Sequence, residues 1–336
     1  MTRASRIPAR SAAIASAAVA LLLAGCGTSV APPSPGAGAA AAVTLENCGR
    51  KVVANDAPKA AVGMHPAQTE LLLRLGLADR IAGQAQAKAQ ALPQDVAPLA
   101  AGIPVIGGVT PPSREDLLAV KPDFVYSPTT YEFTAEQGFA SIEQLEQAGV
   151  SVYVANGGCK DRRMTGEVTD LFTDLENIGK IFGVDDAAAG LIAKSRAELD
   201  KVAKALAGVK KLRVAQVYVD GTTLQAIGAG VEYDILRLAG ADNVYTPEQP
   251  AFAKFFAATI TPESLAAERP DALVFSVYDD KHEAATRKYL TTTFPDMPAV
   301  RDDRLIAVSS ADVFPGTLGN VSIVRQIAER LYPDAF

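Results

Sequence analysis

The sequence predicts an α/β protein of two similar lobes with parallel sheets, joined by one long helix. Three observations predict it. Short apolar runs of β type (AAVGM, DFVYS and SVYVA, then LRVAQVYV, ALVFSVY and RLIAVSS) alternate with stretches of helical spacing. Apolar strands separated by helices read as buried parallel sheets. Two segments also recur in the same order. SREDLLAVKPDFVYS from Ser113 matches TPESLAAERPDALVFS from Thr261, and LRLGLADRI from Leu73 matches LRLAGADNV from Leu236. The shared E-x-x-x-x-x-x-P-D before an apolar strand marks one αβ unit used twice. Finally, Thr165 to Leu206 has no proline and strong helical spacing, with Asp185 after Gly183 placed as an N-cap. Ile192, Ser195, Leu199, Val202 and Leu206 fall on one face of that helix.

Taken from the start, Arg3, Arg6 and Arg10 precede the apolar run Ala13–Ala24, which is too short to span a bilayer. Residues 1–25 therefore read as an export signal. The ending Leu-Ala-Gly-Cys resembles the bacterial lipobox, which implies cleavage before Cys26 and a lipid thioether on its sulfur. Residues 26–42 are expected to be a lipid anchor and flexible tether, being rich in Ala, Pro, Gly and Ser. The expected place is outside the cytoplasm, held to the membrane by lipid.

Cys48 and Cys159 then remain, and an even number of thiols in an oxidising compartment favours a disulfide between them. It would close a loop of about 110 residues, for ~4–5 kcal/mol in the chain-entropy picture. The boundaries expected are 43–184 for the N-terminal lobe, 185–207 for the bridging helix and 208–336 for the C-terminal lobe.

Composition excludes several functions. A net charge of −6 argues against nucleic acid as a partner. With two histidines, His65 and His282, no centre on three histidines can exist, and capture of a bare metal ion is disfavoured. There is no GxSxG, HExxH or P-loop, and IGAGVEY carries Tyr233 where a dinucleotide fingerprint needs its third glycine. No catalytic residue, cofactor or metal site is expected, and the chain is not expected to be an enzyme.

The loops after the expected strands are aromatic, with a few cations. They hold Tyr126 and Tyr131, then Lys160, Arg162 and Arg163, then Tyr218 and Tyr233, then Tyr278, and lastly Phe314. Such walls suit a large, partly flat, anionic ligand. His65 in GMHPAQTE follows a strand at the end where α/β sheets bind ligands, and reads either as a cleft contact or as a structural residue.

ENCGRKV, PAQTELLLRLGLADRIAG, PSREDLLAVKPDFVYS, LRLAGADN, TPESLAAERPDALVFS and DVFPGTLGN together resemble the substrate-binding lipoproteins of ABC importers, in particular the ferric-siderophore, haem and cobalamin group. The resemblance covers about residues 43–332 and implies two Rossmann-like lobes bridged by a single helix, with ligand in the cleft. It also implies that Glu115 and Glu263, one on each lobe, dock onto the two copies of a dimeric permease, which works with its ATPase. The expected cargo is an anionic ferric siderophore, favoured by the Lys160–Arg163 cluster. Haem or cobalamin, with His65 or a tyrosine on the metal, is the alternative within the group. A scaffold or adhesion lipoprotein is the alternative outside it. A single long helix leaves little hinge freedom.

Overall fold

A computed structural model describes residues 42–336. The export signal, Cys26 and all but the last residue of the tether lie outside the described residues. Among the described residues no helix is long and apolar enough to cross a membrane.

The described chain begins with a hairpin. Strands β1 (Val43–Asn47) and β2 (Arg50–Ala54) alternate in burial and pair antiparallel. Cys48 and Gly49 turn between them, at φ 52° and 68°. Such left-handed pairs match the twist of the flanking strands. The hairpin covers the strand ending at Val154: the Asn47 amide donates to the Val154 carbonyl and accepts from its N–H, both at 2.8 Å. Those backbone groups would otherwise be an open sheet edge. A Cys48–Cys159 disulfide fastens the same place, with the Cα atoms 5.2 Å apart.

The first sheet holds β3 (Ala61–Gly63), β4 (Ile81–Ala85), β5 (Val105–Ile106), β6 (Phe124–Ser127) and β7 (Ser151–Val154) in the order β5-β4-β3-β6-β7, all parallel. Between them run helices α1 (Pro66–Arg74), α2 (Arg114–Ala119) and α3 (Ile142–Gln147). Every residue of β3 and β6 is buried, as expected of central strands covered on both faces.

Two helices follow. α4 (Asp170–Phe182) stops at Gly183, which is left-handed at φ 68°. α5 (Asp185–Ala205) carries 21 residues and buries Ala188, Ile192, Ser195 and Val202. Its cap is Val184, so Asp185 is the first helical residue rather than the N-cap expected of it; there its charge favours the helix dipole.

The second sheet comprises β8 (Arg213–Asp220), β9 (Thr223–Ile227), β10 (Asp242–Asn243), β11 (Ala257–Thr259), β12 (Ala272–Val277) and β13 (Leu305–Ser309). Its order is β11-β9-β8-β12-β13, with β10 also against β8. β8, β10, β12 and β13 are parallel, whereas β9 pairs antiparallel with β8 on one side and with β11 on the other. Helices α6 (Gly230–Leu238), α7 (Pro262–Glu268), α8 (Asp280–Thr293), α9 (Pro298–Arg301) and α10 (Gly319–Leu331) complete it.

The sequence repeat now has a physical cause. Asp123 accepts from the N–H groups of Lys59 and Ala60, at 2.8 and 2.9 Å, where the chain enters β3. Asp271 likewise accepts from the Arg213 N–H at 2.9 Å, where it enters β8. β6 pairs with β3 as β12 pairs with β8, so each Pro-Asp ties two central strands together. β9, between β8 and α6, has no counterpart between β3 and α1 and distinguishes the second copy from the first. One apolar core runs from β3 and β6 through α4 and α5 into β8, β12 and α10, joining the lobes behind the cleft.

Candidate functional site

The loops at the carboxyl ends of β3, β6 and β7 face the loop after β13 and the β9–α6 turn across the seam between the lobes. Close backbone approaches hold part of that seam shut. The Gly230 N–H donates to the Met164 carbonyl at 3.1 Å, and the Val168 N–H to Asp234 Oδ2 at 2.9 Å. On the other side Gln68 Nε2 donates to the carbonyls of Pro315 (3.3 Å) and Gly316 (3.4 Å). Gly316 is at φ 68°, and a Cβ there would collide with that of Ala155, so this crossing requires glycine. A cavity of about 240 Å³, lined by Pro66, Glu70, Gln90, Ser309, Asp312 and Thr317, lies along the same seam. A larger hollow, about 520 Å³, is lined by Lys210, Leu212, Arg304 and Tyr332 at the amino ends of β8 and β13, away from these loops.

Arg163 is the centre of the site. Its guanidinium lies 4.1 Å over the Phe256 ring. Among the described residues it forms no ion pair, while burial lowers its pKa and the charges of Glu232 and Glu132 raise it. Glu232, in the first turn of α6, is pushed up to about 7 by burial, with Arg163 pulling it back, and Gln216 Nε2 reaches its carboxyl at 3.5 Å. Glu132 comes from the other lobe, after β6. It is buried, accepts from Ser127 Oγ (3.1 Å) and Thr129 Oγ1 (2.6 Å), and its pKa is raised by burial. A cation with free donors, stacked on an aromatic ring between the lobes, is suited to an acceptor group on a ligand.

The other expected residues divide. His65 caps α1: its Nδ1 accepts from the Ala67 N–H at 3.3 Å, and its ring lies 4.8 Å from Phe314. Burial lowers its pKa to about 4, so it is neutral at pH 7 with its proton on Nε2. Its Nε2–H is then a donor, and binding a metal through Nε2 would require the tautomer that sets two N–H groups against each other. Tyr278 is exposed and stacks on His282 at 4.1 Å; Tyr218 meets the same imidazole edge-on at 5.5 Å.

Four of the expected residues are engaged within the protein. Tyr126 is fully buried in β6, and its hydroxyl donates to the Gly316 carbonyl at 3.4 Å, so it belongs to the seam's core. Arg162 is bound to Asp170 at 2.6 and 2.9 Å, which uses its charge within its own loop. Tyr131 is half-exposed but tied to Gln137 at 3.0 Å and to Phe139, while its neighbour Glu132 points inward. Tyr233 lies in the first turns of α6, where burial raises its pKa. Glu132, Glu232, Phe256 and His282 were missed; the two acids adjoin expected tyrosines in YEF and VEY, the only signal for them.

Buried acids give the fold an inverted pH dependence. Asp174 accepts from Tyr153 Oη and the Asn156 N–H, both at 2.9 Å, and burial pushes its pKa up to about 7. A carboxyl whose folded pKa exceeds its unfolded value stabilises the fold at low pH, and that contribution is lost as pH rises through the folded pKa. Asp174 and Glu232 both act this way, losing their contributions as pH rises from about 4 through about 7. His65 acts oppositely, destabilising the fold as pH falls from 6.5 toward 4. These carboxyls, with Asp312 raised to about 6 by burial, outweigh one imidazole, so the free energy of unfolding from urea titrations should be larger at about pH 5.5 than at about 7.5, by on the order of 2–3 kcal/mol. Asp174→Asn should flatten this difference, and greater stability at the higher pH would show these acids ionised in the fold.

A family model described as periplasmic binding protein matches residues 62–311. An uncharacterized ABC transporter substrate-binding lipoprotein of Bacillus subtilis (strain 168), YvrC, is 24% identical over 325 residues, covering 94% of this chain and 95% of the relative. Among solved structures, a periplasmic binding protein from Veillonella parvula superposes with a TM-score of 0.76 at 23% identity, covering 87% of this chain and 98% of the other. The ABC-type Fe3+-hydroxamate transport system structure from Saccharomonospora viridis gives 0.70 at 24% identity, covering 86% and 98%. Both structural likenesses concern the fold.

Proposed function

This chain belongs to the periplasmic binding protein family, and from that premise we propose that it is the substrate-binding lipoprotein of an ABC importer, carrying an iron chelate outside the cytoplasm. The observation that carries this reading is Arg163: a partly buried guanidinium without an ion pair among the described residues, stacked on Phe256 at 4.1 Å, between two lobes of this family's fold. The wall around it has the mixed aromatic and polar character of a small-molecule site. The B. subtilis relative is named as an ABC substrate-binding lipoprotein, and one structural neighbour as part of an Fe3+-hydroxamate system, which supports the chemical class. Glu115 and Glu263 are the groups that engage the permease, and Cys26 is the lipid attachment. His65, as a donor rather than a metal ligand, favours a chelate whose iron is already fully coordinated over haem held by an imidazole.

The chain has nine tyrosines and no tryptophan, so quenching of tyrosine emission reports binding directly. The mature protein titrated with ferric hydroxamate, catecholate and citrate chelates, haem and cyanocobalamin should show saturable quenching by one chelate class. Arg163→Ala should weaken that binding about 10- to 100-fold, the value of a hydrogen bond to a charged group, whereas Arg162→Ala should change it less than about 3-fold. No saturable quenching by any of these ligands would overturn the reading, and a larger effect at Arg162 would overturn the site.

A further inference from the structure

The crossing at Gly316 rests on a carboxyl with one oxygen unmet. Asp174 of α4 is fully buried. Its Oδ1 accepts from Tyr153 Oη and the Asn156 N–H, both at 2.9 Å, and from Asn156 Nδ2 at 2.6 Å. Its Oδ2 is buried with no partner among the described residues. That oxygen borders Gly316 of the other lobe: a Cβ on Gly316 would stand 3.1 Å from Asp174 Oδ2 and 3.1 Å from Tyr126 Oη. The Pro315–Gly316 tip is held to its own lobe through Asn320 Nδ2, which donates to the carbonyls of Asp312 (2.6 Å) and Phe314 (2.9 Å). Its hold on the first lobe is weaker, through the Gln68 and Tyr126 donors at 3.3–3.4 Å.

Among the described residues no cation pairs with Asp174. β6 and β7 present Tyr126 and Tyr153, which burial keeps neutral, and α1 presents Gln68. Within α4 lies Asp170, whose charge is taken up by Arg162. α5 adds Arg196, exposed over Phe172, and β1 adds Glu46, also exposed. Across the seam, Asp234 of α6 is paired with Arg237 at 2.7 Å. In the tip's own loop, Asp312 is raised to about 6 by burial and by Glu70, which is paired with Arg74, and it packs against Gly319. His65, 4.8 Å from Phe314, is neutral above about pH 4.

We propose that Asp174 is a proton-operated latch on the seam: with its carboxyl neutral the Pro315–Gly316 tip stays seated on the first lobe, and when it ionises the tip lifts away. The inference goes beyond the chelate-binding reading, because it rests on the two-lobe fold and on no property of the cargo. A proton on Oδ2 leaves Oδ1 to accept all three hydrogen bonds and leaves no buried charge. Ionisation instead puts negative charge on an oxygen with no donor, in a site closed to water. Lifting the tip admits water to Oδ2, so the ionised form favours the lifted state. The folded pKa of about 7 sets where this happens. The seat is shut at mildly acidic pH and opens as pH rises through neutrality. Only the tip moves, so the bridging helix keeps its backbone hydrogen bonds.

Hydrogen–deuterium exchange of the mature chain tests this, with rates corrected for the intrinsic pH dependence of exchange. Amides of residues 312–321 should lose protection by at least about 10-fold between about pH 5.5 and 7.5. They should exchange faster than β12, which opens only with the whole fold, so the two responses are read apart. In Asp174→Asn, which holds the neutral form, the tip should keep its acid-side protection at both pH values. Gly316→Ala, whose Cβ collides with that of Ala155, should leave the tip unprotected at both. Equal protection of the unmodified tip at the two pH values would overturn the latch, as would a tip that exchanges no faster than β12. Asp174→Asn with the unmodified pH response would also overturn it and assign the response to Asp312. Where Asp174→Asn does not fold, a Gly316→Ala chain that retains the full pH response overturns the proposal instead. None of these readouts needs a ligand, so failure of the latch and failure of the chelate reading are told apart.

Discussion

Glu115→Ala and Glu263→Ala together should abolish uptake of iron chelate while leaving its binding within about 2-fold of the unmodified protein. Glu115 is 71% exposed in the first turn of α2, behind the Ser113 cap; Glu263 is exposed in the first turn of α7, behind the Thr261 cap. Each helix leads into the strand next to the centre of its own sheet, so the two carboxylates stand at equivalent places in the two copies of the repeat. Hydrogen bonding to its own backbone N–H, then to Arg114, holds the Glu115 carboxyl below the usual range, so it is charged at pH 7. Two equivalent surface carboxylates suit two equivalent basic sites on a dimeric permease. Losing both should reduce transport well beyond about 10-fold. Uptake by cells of whichever chelate quenches the purified protein, radiolabelled with iron, set beside quenching titrations of the purified variant, measures the two effects separately. Unchanged uptake would refute the docking role, and lost binding would place the carboxylates in the cleft instead.

Removing the disulfide should be the largest stability change available to a conservative substitution. Cys48 and Cys159 are 111 residues apart, and freeing a loop of that length costs about 4–5 kcal/mol in the chain-entropy model. For a chain of this size the melting temperature should fall by roughly 8–15 °C in Cys48→Ser, Cys159→Ser, measured by calorimetry. Binding should weaken too, because Cys159 lies four residues before Arg163 and anchors the segment that carries it. The Asn47–Val154 pairing holds the hairpin independently, so the variant should still fold. An unaltered melting temperature with two titratable thiols in the native protein would rule the bridge out.

Much of the architecture was legible in the chain alone. Strand-forming runs such as DFVYS and ALVFSVY are buried on both faces, and a buried strand must be apolar along its whole length. The paired Pro-Asp motifs announced the duplication because each aspartate performs the same task, holding the start of the neighbouring central strand. The 21 residues of α5 were visible as an uninterrupted helical spacing. The β8–β9 hairpin was not legible. Its residues TLQAI resemble many short apolar stretches, and only pairing with β8 makes them a strand.

The site divides along the same line. That loops after the strands carry the chemistry followed from the chain alone, since strand ends and their turns are set by residues close in sequence. Which side chains in those loops meet was decided by how each loop folds back on itself and, for Arg163, by Phe256 far along the chain. Arg162 and Arg163 are neighbours with the same charge, yet one is consumed by Asp170 and the other lies under Phe256. Tyr131 and Glu132 are likewise adjacent, and the charged one is buried because Ser127 and Thr129 hold its carboxyl. Local spacing determines which elements form. Whether a side chain is neutralised, buried or left unpaired depends on the path its loop takes in three dimensions and on what packs against it, and that belongs to the tertiary structure.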